Sequence, residues 1–258
     1  MMLDKILYSY KQPYDIQYLQ VDSIHRLQIC KFGNPKGIPL IFLHGGPGAC
    51  TDQYCSRFFD KRYFNIIIFD QRGCGTSTPL GELKNNNTQH LINDIEKIRI
   101  FCNFKKFIIF GGSWGASLAI LYTISYPKNI ITFVTRNISL MNDPIFTDSF
   151  RNMYPEYWDN FIKLGDNSSI KNTVNIYFKN IKKKNRQYIN NWHNLEFKSL
   201  SVRPEENTKQ NTPFQDKYIC CLLESYYYKN NFFIPENYVL NNCSTISNIP
   251  GYIIVGRL

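Results

Sequence analysis

The sequence predicts an α/β protein built on a mostly parallel sheet and interrupted by a helical insertion. Three observations carry that prediction. Short apolar runs alternate with helix-like segments through the first 140 residues. Glycine-containing turns follow directly on three of those runs, at 44–48, 70–75 and 111–115. The strand rhythm then lapses after residue 140 and returns only at 249–255. Apolar runs separated by helices are the pattern of parallel strands buried on both faces.

Residues 14–18 and 27–32 alternate or run apolar and read as early strands. Residues 38–43 form a short apolar run ended by His44-Gly45-Gly46-Pro47-Gly48, and the Ile-rich run 63–69 is ended by Asp70-Gln71-Arg72-Gly73. Leu91, Ile95, Ile98 and Cys102 recur at helical spacing, with the charged Asp94, Glu96, Lys97 and Arg99 between them. A third buried strand at 107–110 runs into Gly111-Gly112 and then a helix carrying Leu118, Leu121 and Tyr122; residues 130–135 read as a fourth. From 141 to 243 the chain is aromatic, polar and helical in rhythm. The expected organisation is therefore a core over 1–140, an insertion over 141–243 and a return to the core over 244–258.

Composition narrows the function classes. In 258 residues, 43% are hydrophobic and 19% charged, which supports a packed core and excludes a disordered chain. A net charge of +10 raises the question of nucleic acid. The positive charges are scattered, however, and the densest run, Lys182-Lys183-Lys184, is short, so a solvated face is expected and no nucleic-acid partner. The charge-free stretch 107–127 has the length of a membrane span. Gly111, Gly112, Ser113, Gly115, Ser117, Thr123 and Ser125 interrupt it, so a strand, a tight turn and a buried helix are expected, and no membrane. Eight cysteines without a C-x-x-C pair, beside four histidines, give no metal-ligand spacing, and neither metal nor cofactor is expected. Met1-Met2-Leu3-Asp4-Lys5 leads into no apolar segment, which points to reduced thiols in the cytoplasm.

Gly111-Gly112-Ser113-Trp114-Gly115 fits G-x-S-x-G, the strand-to-helix turn that exposes a nucleophilic serine. Its flanks, an apolar strand before and an apolar helix after, are the setting that mechanism requires. The glycine-rich turn at 44–48 leaves backbone N–H groups to point at an oxyanion, with the N–H of Trp114 as the other donor. Asp70–Ser77 is a polar loop that braces the turn through Asp70 and Arg72.

With these residues in place the sequence resembles the proline iminopeptidases (prolyl aminopeptidases) of the α/β-hydrolase fold. The resemblance rests on HGGPG at 44–48, DQRGCGTS at 70–77, DIEKIR at 94–99, GGSWGASLAI at 111–120 and IPGYIIVGR at 249–257. It implies an α/β-hydrolase core with a mostly parallel sheet and an inserted helical cap. It further implies Ser113 as nucleophile, an oxyanion hole from the Gly45, Gly46 and Trp114 amides, and a peptide with an N-terminal proline as substrate. The segment Asn191–Glu196 resembles the family's W-x-x-W-E, and Leu222–Tyr228 its R-I-E-x-H-Y-F, placing Glu196 and Glu224 around the substrate's α-ammonium.

The sequence departs from that pattern at Leu195, Leu222 and Tyr226, which stand for Trp, Arg and His. The family's closing strand reads G-R-Y-D, with a catalytic His later still, whereas here Gly256-Arg257-Leu258 ends one residue before that Asp. The expectation is a core lacking its last strand and helices, and a chain inactive as it stands. Asp143 could replace the acid, but no base accompanies it. Two alternatives stay open: a serine hydrolase acting on esters or other amides, and a non-catalytic binding protein of the same fold.

Overall fold

The computed structural model describes residues 7–52, 54–140, 150–199 and 212–256. The sheet has seven strands in the order β1-β2-β4-β3-β5-β6-β7. Strand β1 (Asp15–Gln20) alternates half-buried and exposed residues and pairs antiparallel with β2 (Arg26–Gly33), which pairs antiparallel with β4 (Phe64–Phe69). From there the sheet is parallel: β3 (Ile38–Leu43) lies beside β4, β5 (Phe107–Gly112) beside β3, β6 (Ile130–Arg136) beside β5, and β7 (Gly251–Ile254) beside β6. Its centre is the aliphatic run that sequence periodicity marks: Ile29, Ile41, Leu43, Ile66, Ile67 and Ile109 are all fully buried.

Two crossover helices tie the parallel strands together. Helix α1 (Thr88–Phe101) opens where the Asn87 side chain accepts from the His90 N–H, and it buries Leu91, Ile95 and Ile98. Helix α2 (Trp114–Ser125) is apolar all round, and ten of its residues are buried, as a helix enclosed on every side requires. The charge-free stretch is thus β5, a turn and α2. Among the described residues no helix is long and apolar enough to cross a membrane.

The chain divides into two compact units, one of residues 1–140 with 237–258 and one of 141–236. The second contains helices α3 (Pro155–Leu164), α4 (Ile170–Lys182), α5 (Arg186–Ser199) and α6 (Phe214–Lys229). The sequence reading carries the insertion to 243, but the chain rejoins the first unit at Asn237. The reason is a short helix, α7 (Tyr238–Asn242), which buries Val239 and packs on α2. One buried residue in five is too faint a pattern to read as core. Strand β7 follows with both faces exposed; Tyr252 and Ile253 are each 63% accessible.

The loop after β4 is anchored by buried charge. Arg72, with 1% of its side chain exposed, binds both oxygens of Asp94 on α1, at 2.5 and 2.6 Å, and also pairs with Asp22. Burial opposes ionisation of Asp22, but the N–H groups of His25 and Ile24 and the Arg72 guanidinium outweigh it and hold that carboxyl well below its ordinary range. Asp70, also buried, accepts from Thr51 N–H (2.7 Å) and Oγ1 (2.9 Å) and from Thr76 N–H and Oγ1 (both 2.8 Å). The bracing expected of Asp70 and Arg72 is what these bonds provide. Replacing Arg72 with Met should therefore cost about 3–5 kcal/mol, because Asp94 is left buried without a counter-charge. Urea unfolding checks this, and a loss below about 1 kcal/mol would mean the carboxylates reach water when the arginine is gone.

Candidate active site

Ser113 stands in the turn between β5 and α2 with φ 55 and ψ −124, a backbone conformation that costs a non-glycine residue about 1–3 kcal/mol. Three backbone bonds hold it there: its N–H donates to Arg136 O at 2.9 Å, and its own C=O accepts from Ala116 N–H at 2.9 Å and from Ser117 N–H at 3.3 Å. The side chain is exposed. The turn fits only because neighbouring chain comes very close. A Cβ at Gly115 would lie 2.2 Å from the Leu43 carbonyl oxygen, so α2 starts almost in contact with the end of β3.

The 44–48 turn meets Ser113 directly. A Cβ on Gly45 would stand 3.3 Å from Ser113 Cβ and 3.8 Å from its Oγ. The Gly45 and Gly46 N–H groups donate to nothing among the described residues. Trp114 occupies the first position of α2 and is buried. Its indole Nε1 donates to Gln71 Oε1 at 2.9 Å. Gln71 Nε2 donates to His44 O at 2.8 Å, and the Gln71 backbone N–H donates to His44 Nε2 at 2.9 Å. An Nε2 that accepts carries no proton, so His44 holds its proton on Nδ1, which lies 2.9 Å from Gly45 O. Burial pushes the His44 pKa down, which keeps the ring neutral. The motifs at 44–48, 70–77 and 111–115 thus converge in one hydrogen-bonded cluster.

The second unit brings Glu196 and Glu224 together, one from α5 and one from α6. Trp192, one turn before Glu196, donates its indole N–H to Glu224 Oε2 at 2.9 Å. Glu224 is buried and Glu196 half-buried. Burial raises both carboxyls; for Glu224 the charge of Glu196 raises it further, while bonds from Trp192 and Cys220 partly offset this. The pair is set in aromatic rings: Trp192 packs on Tyr177 and on Tyr228, both with centroids 5.7 Å away, and Tyr228 packs on Phe232 at 4.7 Å. Asn231, Phe232 and Phe233 all have positive φ, a tight left-handed turn that sets the last two rings against α6.

A family model described as "alpha/beta hydrolase fold" matches residues 38–218. The chain is 34% identical to a proline iminopeptidase of Arabidopsis thaliana, over 98% of this chain and 70% of that protein. It is 33% identical to the proline iminopeptidase of Neisseria meningitidis, over 97% and 83%. This chain belongs to the proline iminopeptidase family of α/β hydrolases. Among solved structures, the proline iminopeptidase of Mycobacterium smegmatis superposes with a TM-score of 0.58 at 14% identity, covering 94% and 90%, a likeness of fold alone.

Within this iminopeptidase-family chain, the structure brings Gly45 against Ser113 and Glu196 beside Glu224, and it links Trp114 to His44 through Gln71, a residue that sequence reasoning did not single out. Gln71 lies within the DQRGCGTS segment, but a glutamine in a polar loop carries no periodicity that would name its partners. Its three bonds go to two residues, His44 and Trp114, at the ends of two other strands. Of the departures, Leu195 and Leu222 are buried, each 4% exposed, and Tyr226 packs on Phe178 and Phe233. Asp143 lies outside the described residues.

The strain at Ser113 is measurable by itself. S113A and S113G both remove the hydroxyl and differ only in Cβ. At this φ the glycine variant should unfold at higher urea, by about 1 kcal/mol, once glycine's greater unfolded-state entropy is subtracted. Equal stabilities would mean that the turn relaxes and stores no strain.

Proposed function

We propose that this protein is a serine aminopeptidase releasing N-terminal proline from peptides. The observation that carries the reading is Ser113, exposed on a strained turn with the Gly45 turn against it, in a chain of this family. Ser113 Oγ attacks the carbonyl carbon of the terminal proline and gives its proton to a base. The resulting oxyanion takes hydrogen bonds from the Gly45, Gly46 and Trp114 amides. Collapse breaks the C–N bond and returns the proton to the departing amine. Water, activated by the same base, then hydrolyses the prolyl ester on Ser113. Glu196 and Glu224 hold the substrate's α-ammonium. A cation between them relieves the like-charge repulsion that raises Glu224.

The base is the histidine that the family resemblance implies. The three histidines of the first unit have other partners: His44 uses both ring nitrogens, His25 Nε2 bonds Lys84 O at 2.8 Å, and His90 Nδ1 bonds Asn87 Oδ1 at 2.8 Å. The 258 residues alone should turn over a proline arylamide near background, and a form extended through an Asp and a His should restore turnover. In that form S113A should lower kcat about 10⁴- to 10⁶-fold. Comparable rates for the chain with and without the extension would show that the base lies within these 258 residues.

Substrate choice is tested at the carboxylates. In the extended form, E196Q or E224Q should weaken use of a free-amine proline substrate by about 1.5–3 kcal/mol, read mainly in KM. A substrate with a blocked amine should be little affected. Equal losses on the two substrates would remove this pair from amine recognition, and faster turnover of a short-chain ester than of the proline arylamide would favour the esterase alternative.

A further inference from the structure

We propose that Gln71 is a positioning residue, aiming the Gly45 and Gly46 backbone N–H groups of the oxyanion hole through the peptide planes on which they sit; this rests on the role given to Ser113 above. The argument begins with peptide planarity. In a trans peptide the C=O and the following N–H lie in one plane and point in opposite directions. The His44 carbonyl and the Gly45 N–H share such a plane. The bond from Gln71 Nε2 to His44 O, 2.8 Å, therefore fixes the direction of the Gly45 N–H on the far side of that plane. It also polarises the amide, making the Gly45 N–H a better donor.

The next plane is set at one remove. Gly45 O and the Gly46 N–H share it, and His44 Nδ1–H holds Gly45 O at 2.9 Å. That bond exists only in the tautomer with the proton on Nδ1, and the Gln71 backbone N–H, donating to Nε2 at 2.9 Å, selects it. The third donor, the Trp114 N–H, shares its plane with the Ser113 carbonyl, which Ala116 N–H holds at 2.9 Å; Gln71 Oε1 reaches Trp114 only at its indole Nε1, also 2.9 Å away. The orientation of the Gln71 amide is unambiguous, because an indole N–H only donates and a carbonyl oxygen only accepts. Gln71 and His44 are 2% and 4% exposed, so water does not compete for these bonds. One residue thus sets both glycine donors and ties the Trp114 side chain to them, while touching neither the substrate nor Ser113.

The test separates tetrahedral from ground-state ligands on the 258-residue chain. Pyrrolidine-2-boronic acid is the tetrahedral probe: Ser113 Oγ bonds to boron, its proton leaves to solvent, and a boron-bound oxygen takes the oxyanion position. L-proline is the ground-state probe. Binding is followed by calorimetry and by the ¹¹B shift, for wild type, Q71M and Q71E. Methionine keeps the volume without the bonds; glutamate keeps an acceptor for Trp114 but cannot donate to His44 O. Both variants should lose boronate affinity roughly tenfold to a hundredfold, somewhat less than deletion of a donor. L-proline affinity should stay within about twofold, since the ammonium contacts are unchanged. Unchanged boronate affinity, or equal losses for the two ligands, would overturn the proposal.

Imidazole NMR of the wild type supplies a second readout that needs no ligand and survives a variant that fails to fold. It should find His44 protonated at Nδ1, with Nε2 accepting from the Gln71 amide; protonation at Nε2 would overturn the proposal. If the wild type binds neither ligand, the proline-releasing reading falls, and the tautomer alone decides whether Gln71 sets the turn.

Discussion

Everything around Ser113 depends on a steric constraint: the start of α2 lies in near contact with the backbone at the end of β3. With the Gly115 Cβ position 2.2 Å from Leu43 O, no side chain fits there, and the chain leaving β5 must turn within a single residue. That residue is Ser113, and the positive φ it adopts lifts its side chain out of the sheet. The same closeness brings the 44–48 turn against the serine, so the exposed hydroxyl and the open Gly45 and Gly46 N–H groups come from one packing arrangement. Strain of this kind persists because the surroundings over-determine it. The parallel pairing of β3, β4 and β5 supplies the determination, by ending three strands side by side.

Charge is buried in two contrasting ways. In the first unit Arg72 meets Asp94 and Asp22, and the loop it fixes carries Gln71 and Asp70 into place. Partners are matched there, and the outcome is rigidity. In the second unit Glu196 and Glu224 press on each other, and burial raises both. A like-charged pair costs stability in the free protein, and it is relieved by a proton or a bound cation. The aromatic rings around it, Trp192 and Tyr228 among them, exclude water and make that preference for a cation stronger.

The departures at Leu195, Leu222 and Tyr226 lie in the packed interior of the second unit. Two are buried leucines, and the tyrosine ring lies tilted against Phe178 and Phe233. Glu224 on α6 keeps its bonds from Trp192 and Cys220.

The sequence by itself determined the strands, the crossover helices and the position of the serine turn. Those follow from local rules: period, apolar runs, and glycines where no side chain fits. It also marked Glu196 and Glu224, through short segments that keep their spacing. The tertiary structure decided what depends on partners distant in the chain. It placed the end of the insertion at Asn237, where Val239 finds α2. It gave His44 its tautomer, through an N–H that lies 27 residues away. It made Gln71, whose partners are not legible in the 70–77 segment, the joint of three motifs. Local patterns report how a residue treats its own neighbours along the chain. A hydrogen bond between loops at the ends of different strands leaves no periodic trace, because its partners are chosen only when the sheet aligns those ends.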